Sequence, residues 1–215
     1  MPRSQDAINS RAHAGPMLNR VTPLLGVRRG HFKMESGYHS GTWFELGSLF
    51  DDPPTVRPFA AELARRLSSH RPDAVCGPMT GGAKLAEMIA TELGLTAVVA
   101  ERSPTPGATG LFPVRYRIAE AQRANLRART IAIVDDAISA GSAVRGTHAD
   151  LIDCGALPVA LGALIVFGDA AVNFASDKGL ALETIERSPF DMWRPAECPL
   201  CEAGAALDET AAHSG

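Results

Sequence analysis

The sequence predicts an α/β domain: a twisted, mostly parallel sheet flanked by helices, with a small N-terminal hood. Three observations lead there. Apolar runs at 74–76, 96–100, 130–134 and 157–167 read as buried strands, and helical patterns separate most of them, the alternation that builds right-handed crossovers. Two of these runs pass directly into small-residue, glycine-containing loops, 77–82 and 137–142, that open the next helix. The chain has 215 residues, 46% of them apolar, which is enough for one substantial core.

In chain order, residues 1–16 are polar and lack the apolar stretch of a signal peptide, so they read as a disordered tail. Met17, Val21, Leu24 and Leu25 allow a short helix that Pro23 limits. Residues 31–46 form two alternating strand-like pieces about a Ser36-Gly37 turn, ending in Trp43 and Phe44. Residues 55–70 make an amphipathic helix with Phe59, Leu63 and Leu67 on one face, closed by Pro72. After the strand 74–76 and its loop, Leu85, Met88, Ile89 and Leu93 mark the inner face of another helix. Residues 103–110, rich in Pro, Thr and Gly, make a mobile loop, and Arg115 and Arg117 alternate in the following strand-like FPVRYRI. Residues 144–154 are helical, 157–167 a long strand and 181–185 an edge strand. The domain is expected over 17–190, with its hood at 31–46, and 191–215 as a C-terminal tail containing Cys198-Pro-Leu-Cys201.

The chemistry concentrates at 131–143, IAIVDDAISAGSA. In open α/β sheets ligands bind beyond the carboxyl ends of the strands. Here the strand closes on Asp135 and Asp136, and the loop Ala137, Ile138, Ser139, Ala140, Gly141, Ser142 follows. Gly141 permits close backbone approach, the serines bring hydroxyls, and the amides of the next helix carry its positive end, which together suit a phosphate monoester. The two carboxylates would accept hydrogen bonds from hydroxyls or hold a divalent cation. Phosphate and diol side by side describe ribose 5-phosphate. The 77–82 loop, with Met79, Thr80, Gly81 and Gly82, can present amides to a second anion.

This stretch resembles the phosphoribosyl pyrophosphate signature of the type I phosphoribosyltransferases. The resemblance covers most of the chain and implies that family's fold. It implies Asp135 and Asp136 on the ribose hydroxyls, residues 137–142 on the 5-phosphate, residues 79–82 with Lys84 on pyrophosphate, and Mg2+ carried by the substrate and met by the acidic pair. The block with Phe32, Met34, Ser36, Gly37, Ser40 and Trp43 is similar to one near the start of orotate phosphoribosyltransferases, so orotate is the expected base. Lys33, Ser36, Trp43 and Phe44 are then candidates for base binding. Two positions depart from the orotate pattern. Glu35 stands where a base-contacting lysine is common, and the mobile loop is flanked by Arg102 before it and Arg115 and Arg117 after it, with no lysine. Arg102 is the candidate catalytic cation beside the two aspartates, while Arg115 and Arg117 are either pyrophosphate ligands or the exposed face of an edge strand.

The expected protein is thus a cytoplasmic, homodimeric transferase of pyrimidine synthesis. Its rivals are a transferase for another base and a non-catalytic sensor of the same fold. A net charge of -3 argues against a general nucleic-acid binder, and no apolar run reaches membrane-span length. Cys198 and Cys201 could be half a zinc site, a redox pair or free thiols; free thiols are expected, because Cys76 and Cys154 lie in predicted core elements and supply no second pair.

Overall fold

The computed structural model describes residues 20–79, 81–104 and 107–209, so the N-terminal tail and Thr80 lie outside the described residues. A six-stranded sheet contains β3 (Ala74–Pro78), β4 (Thr96–Pro104), β5 (Val114–Ile118), β6 (Thr130–Ile138), β7 (Leu157–Phe167) and β8 (Ala181–Ser188) in the order β5-β4-β3-β6-β7-β8. Only the β4–β5 pairing is antiparallel. A separate hairpin of β1 (Gly26–Lys33) and β2 (His39–Glu45) forms the hood.

The apolar run of β6 is continuous because both of its faces are covered. Ala132 and Val134 pack into a core with α1 (Pro53–Leu67) and α2 (Gly81–Leu93), through Phe59, Leu63, Leu85 and Ile89. Ile131 and Ile133 face the other way, against Val144 and Leu151 of α4 (Ser142–Asp153) and Phe174 of α5 (Ala170–Lys178). The remaining helices are single turns, α3 (Glu120–Arg123) and α6 (Pro199–Glu202). Leu63 is fully buried between α1 and the sheet. Leu63→Ala is expected to lower the unfolding free energy by about 2–5 kcal/mol, read from denaturant melts, through lost transfer energy and an unfilled cavity.

Several boundaries differ from the sequence reading, which does not anticipate α5, and two of the shifts bear on the site. Where a short helix was allowed at 17–29, the described part holds one 3-10 turn, Thr22–Leu24, and β1 begins at Gly26. Pairing from Gly26↔Glu45 to Lys33↔His39 supplies more backbone hydrogen bonds than a proline-limited helix could. β6 runs through the acidic pair to Ile138, because Asp135, Ala137 and Ile138 still pair with β7.

The C-terminal segment folds back over the hood. Trp193 and His39 exchange both backbone hydrogen bonds at 2.9 Å, Ser40 Oγ donates to the Asp191 carbonyl at 2.9 Å, and the Lys33 N–H donates to the Asp208 carbonyl at 2.9 Å. No helix among the described residues is long and apolar enough to cross a membrane.

Candidate active site

The acidic pair, both glycine-containing loops and the hood meet around one cavity of about 540 Å3. Alternation along β6 gives Asp135 the parity of the α4 face and Asp136 that of the α2 face. Both carboxylates are almost fully buried. Asp135 Oδ1 accepts from the Asp136 N–H at 3.1 Å, and Asp136 Oδ1 from the Ala137 N–H at 2.8 Å. Burial raises the pKa of both groups; for Asp135 the neighbouring Asp136 charge adds to the effect, whereas for Asp136 the Ala137 amide and Lys84 oppose it. Two acids held this way favour a ligand that brings hydroxyl donors or positive charge.

The first glycine loop leaves no room beside them. A Cβ at Gly82 would lie 2.7 Å from Asp135 Oδ1, one at Gly81 would overlap the Asp136 carboxylate, and one at Gly77 would overlap the Gly82 carbonyl. Glycine is required here by close approach rather than by backbone angle. The second loop does use the angle: Gly141, at φ 80°, caps α4 with no side-chain cap on the first-turn amides, and Ser142 and Ala143 of that turn line the cavity. Ser142 Oγ is buried with no hydrogen-bond partner among the described residues. An orphaned hydroxyl at a helix N-terminus fits an oxyanion ligand.

The hood closes the opposite side. Trp43 and Phe44 both line the cavity. Phe44 stacks on Phe167 at 4.3 Å and leans on Phe190, so one of its faces is already used, while Trp43 touches Phe32 only at a tilted 6.1 Å. Lys84 also lines the cavity, with its ammonium 5.8 Å from the centre of the Phe50 ring. The hood turn meets the 107–112 loop through the Phe112 N–H donating to the Ser36 carbonyl at 2.8 Å.

Glu35 points into this space and is already engaged. Its carboxylate accepts from Arg102 Nε at 2.8 Å and from the Tyr116 hydroxyl at 3.0 and 3.1 Å. Burial and the adjacent carboxylate push the Tyr116 phenol up, so it remains a donor. Arg102 spends one donor on Glu35, and a guanidinium has five.

The structure thus brings together around the cavity Asp135, Asp136, Arg102, Lys84, Met79, Gly81, Ser36, Trp43, Phe44 and the whole loop from Ala137 to Ser142. Gly82 sits directly behind, against Asp135. Three candidates lie elsewhere. Lys33 pairs with Glu209 at 3.5 Å, because the C-terminal segment is held against the end of β1 by Asp208 and brings the next residue alongside. Arg115 and Arg117 are exposed on β5, since strand alternation turns Tyr116 inward between them. Tyr116 was missed in the sequence although VRYRI carried the signal: if the arginines face out, the residue between them faces in.

No family model matches the chain. It is 27% identical over 183 residues to the orotate phosphoribosyltransferase of Caldanaerobacter subterraneus, covering 84% of this chain and 88% of the relative. It is 29% identical over 197 residues to that of a Thermoanaerobacter species, covering 89% and 93%. Among solved structures it resembles orotate phosphoribosyltransferase from Aeropyrum pernix, with TM-score 0.58 and 21% identity over 75% of this chain and 87% of that one. Adenine phosphoribosyltransferase from Leishmania tarentolae superposes with TM-score 0.55 and 16% identity, over 69% and 77%. The fold is that of the type I phosphoribosyltransferases.

Proposed function

From this fold and from relatives named orotate phosphoribosyltransferase, we propose that the chain transfers the phosphoribosyl group of phosphoribosyl pyrophosphate to a pyrimidine base, orotate, releasing pyrophosphate. The observation that carries the reading is the buried Asp135-Asp136 pair, set against Gly81 and Gly82 at the start of α2 and sharing a cavity with the N-terminus of α4. The ribose 2- and 3-hydroxyls donate to the carboxylates, the 5-phosphate takes the amides of 137–142 and the orphaned Ser142 hydroxyl, and the pyrophosphate lies over residues 79–82 near Lys84. The oxygen-only donors of the acidic pair suit Mg2+, which would come bound to the substrate and neutralise its leaving group.

The residues divide the work by charge. The bond from the anomeric carbon to the pyrophosphate oxygen breaks as the ring gains cationic character, and the base nitrogen takes the vacated position. The carboxylates stabilise that positive charge, and their own burial keeps solvent from screening it strongly. No protein nucleophile is needed. The base stacks under the hood on the free face of Trp43, worth about 1 kcal/mol beyond burial.

Pyrophosphate release with Mg2+, phosphoribosyl pyrophosphate and a panel of bases tests the reading. Release with orotate and not with adenine or guanine is expected; turnover of a purine without orotate overturns it. The Glu35–Arg102 pair favours a second reading, a sensor that binds phosphoribosyl pyrophosphate without turnover, and that reading predicts binding by calorimetry with no release for any base.

Gly81→Ala should weaken phosphoribosyl pyrophosphate binding about tenfold in the same calorimetry, because the added methyl displaces the Asp136 carboxylate at a cost of about 1–3 kcal/mol. The exposed Arg115 and Arg117 support a homodimer in which they reach the partner's site. Sedimentation showing only monomer at assay concentration would remove that arrangement.

A further inference from the structure

Away from the cavity, His31 and His39 of the hood meet Cys198 and Cys201 of the C-terminal segment, with one ligand atom of each within 4.8 Å of all the others. We propose that these four side chains bind one zinc ion that clamps the C-terminal segment onto the hood. The proposal is independent of the transfer reaction, since none of the four lines the cavity.

The distances fit a closed tetrahedral site. His31 Nε2 lies 3.1 Å from His39 Nδ1, 3.4 Å from Cys198 Sγ and 3.6 Å from Cys201 Sγ, and Cys201 Sγ lies 3.2 Å from His39 Nδ1. Bonds of about 2.3 Å to sulfur and 2.0–2.1 Å to nitrogen give tetrahedral edges of roughly 3.3–3.8 Å. Cys198 and Cys201 stand three apart across the first turn of α6, which turns both sulfurs to one side. The hairpin supplies the second pair of ligands, which no other cysteine could.

Proton accounting points the same way. His31 Nδ1 lies 2.9 Å from the Ala205 carbonyl and donates to it, so Nε2 turns a lone pair toward the cluster. That single lone pair faces another imidazole nitrogen and two sulfurs, and it can accept only one of their protons with good geometry. A cation at the centre uses all four donor atoms. The Ala205 bond is also the outer contact that fixes the tautomer of a metal-bound histidine. Two thiolates with two imidazoles select zinc among common divalent ions, and four protein ligands leave no open position, so the ion is structural. His31 and His39 are in β1 and β2, and β2 also carries Trp43 and Phe44, so the ion anchors the wall that covers the cavity.

The test is metal content of the full-length protein, purified with zinc in the medium and dialysed. About one zinc per chain is expected for wild type and for Cys76→Ser, and less than about a tenth of that for Cys198→Ser and Cys201→Ser. The Cys201 side chain is exposed, so Cys201→Ser is the variant expected to stay folded where Cys198→Ser does not. Wild-type protein stripped of zinc and given Co2+ should show the intense visible bands of tetrahedral cobalt with sulfur-to-metal charge transfer, and stripping should lower the melting temperature. Metal-free wild type without those bands on Co2+ addition, or a folded Cys201→Ser holding a full equivalent of zinc, overturns the site. An unchanged melting temperature after stripping overturns the clamp.

Discussion

Replacing Asp135 and Asp136 together by Asn is expected to weaken binding of the Mg2+ complex of phosphoribosyl pyrophosphate at least about tenfold, and to abolish measurable transfer, while the protein itself becomes harder to melt. The first effect follows from removing the acceptors for the ribose diol and the negative charge opposite the anomeric carbon. The second follows from the burial of both groups. Their pKa values are raised in the folded chain, so ionisation near neutral pH opposes folding. By linkage, a group that holds its proton more tightly when folded makes stability fall as pH rises from the ordinary aspartate range up to its raised value. A proton held ten times more tightly in the folded chain corresponds to about 1.4 kcal/mol, and each kcal/mol is worth roughly 2–4 °C in a chain of this size. The melting-temperature advantage of the double variant should therefore be small at acid pH and grow toward neutrality. Scanning calorimetry over that range, with titration calorimetry for the ligand, reads both effects. Unchanged ligand affinity would remove the pair from the site.

Glu35→Gln is expected to lower kcat/KM for orotate by about 10–100-fold, mostly through KM, because a charged hydrogen bond of about 1.5–3 kcal/mol that holds Arg102 is lost. Glu35 and Arg102 pair at 2.8 Å on the cavity wall that includes the hood residues Trp43 and Phe44. Lys33 is turned to Glu209 and the Gly37 N–H donates to the Met34 carbonyl at 2.8 Å, so neither is open to the orotate carboxylate. The terminal nitrogens of Arg102 remain, and Glu35, with Tyr116, positions them. Glu35→Lys should then abolish turnover, because it places a second cation beside Arg102 and deprives Tyr116 of its acceptor. A rise in orotate turnover in Glu35→Lys would show instead a pocket that lacks only its lysine. Steady-state kinetics on the two variants separates these outcomes.

The strand, acidic pair, loop and helix at 130–153 were legible in the sequence because each signal there is local. A β-branched run, two carboxylates, a glycine at a helix start and a 3.6-residue period all lie within a couple of dozen positions. The 74–93 unit was legible for the same reason. What could not be read was the partner of each hood residue. Glu35 lies 67 positions from Arg102 and 81 from Tyr116, and no local pattern says that they touch. Cys198 lies 167 positions from His31, so a CxxC without a second cysteine pair read as free thiols.

The sequence by itself determined the four main strands, the helices that follow the two glycine-containing loops, and the acidic pair at the end of its strand, since periodicity and turn chemistry act within a single element, whereas α5 was not read from it. Only the tertiary structure decided which hood and edge-strand side chains face the cavity. On a strand that choice alternates at every residue and is settled by what packs against each face. Packing against β5 turns Tyr116 inward and leaves Arg115 and Arg117 in solvent, and the returning C-terminal segment holds Lys33 beside Glu209 and brings two cysteines to two histidines.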